Sequence, residues 1–457
     1  MPEYVLAVDQ GTSSTKCLVV DRSGAVVASG SAAVGIAYPS PGWVEQDAQD
    51  ILRSVRAAAA IALRDIDPAA VVAVGLSTQR ESALVWDKAT GRPLGPVLGW
   101  QDRRSRNICD GLRPHEKEIA ALSGLPLDPM FSAAKLRWLL DAAPRASAVG
   151  TVDSWLVYAL TGAHHIEVGN ASRTQLLDVR TGQWSPKLLD LFGIPSSVLP
   201  SITPSSGDLG VIGPAGGILS TLPLKAVLGD SHAALFAHGG SPDSVKATYG
   251  TGSSVMGLLS TAQTDLCLTI AWDSQLAAEG NIRSSGATIA WLADLLRITS
   301  DEVAALALTA SSDGVHLVPA FGGLAAPWWD DGASGLITGL SLGSGPAQLA
   351  RAALESIAHQ VTDVLDRLPT VEQVLADGGA SANDHLMQIQ ADLAGVPVRR
   401  ARTGNLSALG AAHLAAPWPA APIEYDEFLP RLDPDDRSAR RTAWRAAVHR
   451  ALSTVGS

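Results

Sequence analysis

Val5-Leu6-Ala7-Val8-Asp9-Gln10-Gly11-Thr12-Ser13-Ser14-Thr15-Lys16-Cys17-Leu18-Val19-Val20 sets an apolar run, a Gly/Thr/Ser turn and a second apolar run in succession. That is the pattern of a β-hairpin. Much further along, Val245 to Tyr249, Gly250-Thr251-Gly252-Ser253-Ser254 and Val255 to Leu259 repeat it. Glycine lets backbone N–H groups turn toward an anion, and small hydroxyl residues add donors without blocking access. Two such turns predict two similar domains gripping one polyphosphate between them.

Outward from the first hairpin, runs at 4–8, 17–20 and 25–29 predict three antiparallel strands. Asp47 is placed to cap a helix with Ile51, Val55 and Ala58 on one face. Val71 to Ser77 and Ala83 to Trp86 read as strands, and helices are expected over 132–142 and 152–161, the second started by Asp153. Pro200 to Pro223 is rich in Pro, Gly and Ser and reads as a surface wrap, before a buried strand Val227 to Asp230 and a helix Ser231 to Ala237. Gly239-Gly240-Ser241-Pro242 marks the expected boundary, giving domains 1–238 and 239–457. Helices are expected at Ala287 to Leu296, Ala347 to Leu368, after Asn383 and at Ser438 to Leu452, with a strand at Val371 to Ala376. Mixed elements in both halves indicate α/β domains.

Composition narrows the function classes. With 46% hydrophobic and 17% charged residues, 457 residues suit a soluble protein of two or three domains. A formal charge of −11 gives no footprint for nucleic acid. No apolar stretch approaches the ~18 residues of a membrane span. Neither a membrane partner nor a signal peptide is expected. Cys17, Cys109 and Cys267 are too few and too far apart for a disulfide framework or a zinc site, and read as reduced, buried thiols in a cytoplasmic protein.

Asp9 and Asp230 each end an apolar strand, where ligand crevices open in α/β sheets. Each is a turn former or a carboxylate for a Mg²⁺-nucleotide site, since Mg²⁺ takes oxygen ligands and keeps waters. Arg80-Glu81 is either a solvated strand face or a donor and acceptor pair for hydroxyl groups. Trp100 is an aromatic wall or a surface tryptophan, and Lys16 a phosphate ligand or a solvent-facing lysine. Asp377-Gly378-Gly379-Ala380, followed by Asn383, is a turn suited to close approach by a flat ligand. No Gly-x4-Gly-Lys-Ser/Thr loop, Gly-x-Gly-x-x-Gly fingerprint, protein-kinase motif set or His-Glu-x-x-His motif occurs. Gly339-Leu340-Ser341-Leu342-Gly343 matches Gly-x-Ser-x-Gly, but Gly345-Pro346 follows where a helix would have to start, so it reads as a loop.

A series of segments resembles the FGGY carbohydrate kinases, and within them the glycerol-kinase branch. They are Val8 to Ser14, Gln79-Arg80-Glu81 with Val85-Trp86-Asp87, Trp100 to Arg104, Asp153 to Leu156 and Asn170 to Thr174, followed by Tyr249 to Gly252, Val318 to Phe321 with Ala326 to Asp330, Asp377 to Ala380 with Leu386 to Gln388, and Ala408 to Ala412. The resemblance implies two ribonuclease-H-like (actin/hexokinase-type) domains with an interdomain catalytic cleft. It implies ATP-dependent phosphorylation of a hydroxyl of a small polyol or sugar, with Mg²⁺. It makes Asp230 the general base and Arg80, Glu81 and Trp100 substrate contacts. Thr12, Ser13, Lys16 and Thr251 become phosphate contacts, Gly286, Gly379 and Asn383 nucleotide contacts, and Asp9 with Asp230 the Mg²⁺ carboxylates. A homodimer is compatible with it.

The departures from that branch cluster in the substrate pocket. Met130 stands for a tyrosine, Ser231 for a glutamine and Ser254 for a phenylalanine; near the nucleotide Ala290 stands for a glutamine, and Lys16 replaces arginine. Losing an aromatic and a long amide alters hydroxyl recognition. The pocket is therefore expected to take a polyol or ketose of four or five carbons, with glycerol as the competing acceptor.

Overall fold

The computed structural model describes residues 3–453, which form two compact α/β units. The first combines Met1–Gly240 with Cys267–Ala277 and Asn405–Pro422; the second takes Ser241–Leu266, Ala278–Gly404 and Ile423–Ser457. A single cut after residue 238 therefore misses two later segments that rejoin the first unit.

The first unit carries a five-stranded sheet. Its order is Leu224–Gly229, Val71–Thr78, β1 (Tyr4–Gln10), β2 (Ser14–Asp21) and β3 (Val26–Ala33). β1 and β2 pair antiparallel from Tyr4↔Asp21 to Gln10↔Thr15, while β1 runs parallel to Val71–Thr78, and that strand parallel to Leu224–Gly229. Val5 to Val8 and Cys17 to Val20 are buried throughout, as expected where both sheet faces are covered. On one face α1 (Ala48–Ala62) packs Ile51 and Val55 against Leu6, Val8, Cys17 and Val19. Asp47 caps α1 by accepting the Gln49 N–H at 2.7 Å.

The opposite face explains why the chain returns. Gly75 lies beside Ala7, and a Cβ on it would stand 2.2 Å from the Ala411 carbonyl oxygen. The helix Leu406–Ala415 thus lies with its backbone on the sheet. Gly410 in that helix makes a matching approach to the helix Asp230–Ala237, since its Cβ would fall 1.8 Å from Ala233 O.

Six strands of the second unit's sheet run in the order Gln275–Ile282, Ser253–Leu259, Ser244–Tyr249, Gln373–Asp377, Val398–Ala401 and Tyr425–Phe428. Ser244–Tyr249 pairs antiparallel with its hairpin partner and parallel with Gln373–Asp377, so the topology around β1 recurs. The turns differ by one residue: Gly11 N–H donates to Ser14 O at 3.0 Å across the first, and Gly250 N–H to Gly252 O at 2.8 Å across the shorter second. The helix Pro434–Ala451 is tied to the helix Pro346–Leu365 through Arg441, whose Nη2 reaches Asp363 Oδ1 at 2.5 Å, and through Trp444 Nε1, which donates to Asp363 Oδ2 at 2.8 Å.

Two local expectations change. The helix Val152–Thr161 has Thr151, in extended backbone, at its N-cap position without a side-chain capping bond, and Asp153 lies inside the first turn, receiving the Thr151 hydroxyl. The stretch 200–223 is more than a surface wrap, because Leu209, Ile212, Leu219 and Leu222 are buried in the first core.

The glycine contacts give a stability prediction. Gly410→Val must push two helices apart, and overpacking of that kind costs about 3 kcal/mol or more. Urea denaturation should show that loss, whereas Gly404→Ala, with nothing within 4 Å of its Cβ, should change stability by less than about 0.5 kcal/mol.

Candidate active site

Three neighbouring parallel strands of the first unit end side by side, and their C-terminal ends carry the charged groups. β1 ends at Asp9-Gln10, Val71–Thr78 runs on into Gln79-Arg80-Glu81, and Leu224–Gly229 leads directly to Asp230. Asp9 lies opposite Ser77 and accepts its hydroxyl at 3.0 Å. Asp230 Oδ1 accepts the Ser231 N–H at 2.6 Å and Arg80 Nε–H at 3.2 Å.

Burial pushes the Asp9 carboxyl up to about 6, and the negative charge of Asp230 adds to the rise; the Ser77 hydrogen bond and Lys16 oppose it. A divalent cation between the two carboxylates would relieve that pressure on Asp9. Two carboxylates also suit Mg²⁺, which keeps several waters and takes phosphate oxygens for its remaining positions.

Arg80 and Glu81 are each 6% exposed, which overturns the solvated-face reading. They form a tight corner in which Ser82 N–H donates to Arg80 O at 2.7 Å and Glu81 adopts φ 60°. A left-handed glutamate is held there by Arg173, fully buried, whose Nε donates to Glu81 Oε1 at 2.6 Å. Ser132 Oγ fixes the Glu81 carbonyl at 3.0 Å.

Trp100, 36% exposed, is anchored at both ends. Its backbone N–H donates to Ser82 Oγ at 3.1 Å and its indole N–H to Thr12 Oγ1 at 3.2 Å. The Met130 and Gly99 carbonyls share one donor, Lys135 Nζ, at 2.6 and 3.2 Å. Burial drives the Lys135 amine down to about 7, against the pull of Glu81, Asp102 and Asp128. Ser13 and Lys16 are exposed on the hairpin, with Lys16 opposite Asp9 in register.

The second unit gathers its predicted residues around its own hairpin. The Gly286 N–H donates to Gly250 O at 2.9 Å and the Ala287 N–H to Thr251 O at 3.0 Å, so the helix Gly286–Leu296 starts against the Thr251 turn. A Cβ on Gly378 would stand 2.5 Å from Tyr249 O, whereas one on the adjacent Gly379 would meet nothing within 4 Å. Asn383 caps the helix Asp384–Ala394, its Oδ1 accepting the His385 and Leu386 N–H groups at 3.0 Å. Its amide nitrogen is therefore the group suited to a ligand. Ser254 Oγ donates to Glu279 Oε1 at 2.7 Å, and Glu279 is fully buried.

Arg173, Lys135, Glu279 and the glutamines Gln10, Gln46 and Gln79 escape the sequence reading of the site. Arg173 sits in a segment that carries the family resemblance, but its pairing with a residue so distant in sequence leaves no local signal. The glutamines carry no charge to draw attention to them.

Two family models together match most of the chain. The sequence model of the FGGY family of carbohydrate kinases, N-terminal domain, matches residues 4–237, and that of the C-terminal domain matches residues 245–417. The apulose kinase of Pectobacterium atrosepticum is 42% identical, with 98% of each chain covered. The glycerol kinase of Alkalilimnicola ehrlichii is 41% identical, again covering 98% of each. Among solved structures, Plasmodium falciparum glycerol kinase with ADP superposes with a TM-score of 0.89 at 26% identity, covering 99% of both chains.

The buried Glu81–Arg173 pair is directly testable. Arg173→Met removes one partner of a buried ion pair, and such truncations cost about 3–5 kcal/mol. Chemical denaturation should show that loss, and the double variant Arg173→Met/Glu81→Gln should recover part of it.

Proposed function

The chain belongs to the FGGY family of carbohydrate kinases, with the two-domain actin/hexokinase-like fold, and is a phosphotransferase acting on a small sugar or polyol; from that premise we propose how its residues divide the work and which acceptor it takes. Asp230 accepts the proton of the attacking hydroxyl as its oxygen bonds to the γ-phosphorus of ATP and the bond to ADP breaks. Arg80 holds Asp230 in place, and Arg80, Glu81, Met130 and Ser231 line the acceptor site, with Trp100 as its wall. Thr12, Ser13 and Lys16 bind phosphate on the first unit. On the second, Thr251 binds phosphate and Gly286, Gly379 and Asn383 the nucleotide. Asp9 and Asp230 would hold Mg²⁺ through water, which supplies neutralisation of phosphate charge. The protein's own contribution is positioning and preorganised charge.

The acceptor is a polyol or ketose of four or five carbons. The observation that carries this reading is the Ser254–Glu279 hydrogen bond at 2.7 Å. At a position where the resemblance expects an aromatic ring, it supplies a polar group able to receive a further hydroxyl. The relative named apulose kinase, as similar as those named glycerol kinase, adds support. Glycerol is the competing acceptor, favoured by the presence of Arg80, Glu81, Trp100 and Asp230 together.

We place the enzyme in the cytoplasm. Cys17 and Cys109 are free thiols and Cys267, like them, is buried; burial pushes the Cys109 thiol up to about 12 and the Cys17 thiol higher still, so both stay protonated and inert. No helix among the described residues is long and apolar enough to cross a membrane.

A screen with MgATP against glycerol, erythritol, threitol, pentitols, ketopentoses and apulose decides the acceptor. Turnover is expected to be greatest with a four- or five-carbon compound, and predominant turnover of glycerol sinks the larger-acceptor reading. Asp230→Asn should keep fold and nucleotide affinity while kcat falls about 10²–10⁴-fold. Near-normal turnover in that variant removes Asp230 from the base role.

A further inference from the structure

Three buried glutamines stand behind the phosphate hairpin of the first unit, and the roles assigned above use none of them. Gln10, Gln46 and Gln79 are 0%, 3% and 1% exposed. Gln79 is the hub. Its Nε2 donates to Gln10 Oε1 and Gln46 Oε1, both at 3.0 Å, its Oε1 accepts Ser82 Oγ–H at 2.8 Å, and its backbone N–H donates to Gln10 O at 2.8 Å. From there Gln46 Nε2 reaches Thr12 O at 2.7 Å and Gln10 Nε2 reaches Gly11 O at 2.7 Å. Ser82 Oγ in turn accepts the Trp100 N–H at 3.1 Å, and the Trp100 indole returns to Thr12 Oγ1 at 3.2 Å.

These bonds close a circuit. It leaves Thr12 through its carbonyl, passes Gln46, Gln79, Ser82 and Trp100, and comes back to the Thr12 hydroxyl. Amides suit it because one side-chain tip both donates and accepts. Reversing any one of them sets donor against donor or acceptor against acceptor, so the network defines a single arrangement. A merely space-filling role at these positions would be met by Met or Leu. The circuit also spans the parts a transfer reaction must align: the turn given to phosphate, the Arg80–Glu81 corner enclosed between Gln79 and Ser82, and the tryptophan wall.

We infer that Gln79, acting with Gln46 and Ser82, is a positioning element that fixes the Thr12 turn against the Arg80–Glu81 corner, so that acceptor hydroxyl and γ-phosphoryl are held in attack geometry. The inference rests on the kinase reading above. Gln46→Met tests it best, because Gln46 sits on the short strand Glu45–Gln46 and takes no substrate role. Wild type and variant are compared for kcat, acceptor KM, ATP hydrolysed without transfer, and melting temperature, using the acceptor the screen identifies. In the folded variant kcat should fall about 10–100-fold, as misplacement by about 1 Å can cause. Acceptor KM should stay within about threefold, and a larger share of ATP should be lost to water.

A folded variant with kcat within twofold of wild type overturns the inference. So does a parallel loss of kcat and acceptor affinity with transfer still coupled, which marks simple local loosening. If Gln46→Met fails to fold, Ser82→Ala breaks the same circuit on the Trp100 side and is judged by the same criteria. A wild-type protein that phosphorylates no acceptor overturns the kinase reading and this inference together, whereas an active wild type with an unaffected variant overturns the inference alone.

Discussion

The contact between Arg80 Nε and Asp230 Oδ1, 3.2 Å apart, joins residues 150 positions distant in sequence. It forms because three parallel strands end in register, placing Asp9, the Arg80 corner and Asp230 at one sheet edge. Arg80 is buried while the Asp230 side chain is 37% exposed. The guanidinium is therefore fixed by its surroundings, and the carboxylate keeps access to a ligand. The base role proposed for Asp230 needs that combination: an oriented oxygen that is not sealed from substrate. Were both groups buried, removing them from water would cost more than their attraction returns.

Holding these strand ends depends on glycine at Gly75 and Gly410, where helix backbone presses on strand and helix backbone. The helix Leu406–Ala415 comes from late in the chain, yet it supports the sheet that begins at Tyr4 and touches the helix Asp230–Ala237, where Ser407 Oγ donates to Asp230 O at 3.0 Å. The first unit is thus complete only after most of the second has been written in the sequence. A boundary drawn from composition at Gly239-Gly240 has no means of detecting this, because nothing local distinguishes a helix that packs forward from one that packs back.

Much of the architecture was legible for a physical reason. The apolar runs flanking the Gly/Thr/Ser turns are long and uninterrupted, so both hairpins and the strands at Val71–Thr78 and Gln373–Asp377 stand out. Asp47 was readable as a cap because capping is a local exchange of hydrogen bonds. The Arg80–Glu81 corner was not readable. Charged pairs beside a strand are usually solvated, and it is Arg173 and Ser132, contributed from elsewhere, that make burial and a left-handed Glu81 tolerable. The glutamine circuit was hidden for the same reason: neutral amides reveal a role only through partners that the fold brings together.

The two hairpins share a topology but divide the chemistry differently. In the first unit Asp9 faces Lys16 across the hairpin and Ser77 across the parallel pair; in the second the corresponding position, Thr248, faces Ser254 and Asp377. Carboxylate and hydroxyl have exchanged strands. In the first sheet the acid is on the hairpin, beside the turn and next to a lysine. In the second it lies on the neighbouring strand, buried ahead of Gly378-Gly379, and the facing hairpin positions Thr248 and Ser254 carry hydroxyls. With the exchange, the first turn lies beside a carboxylate and a lysine, and the second beside hydroxyls. The internal echo that makes the fold recognisable therefore does not make the two sites equivalent, and their difference follows from which strand carries the acid.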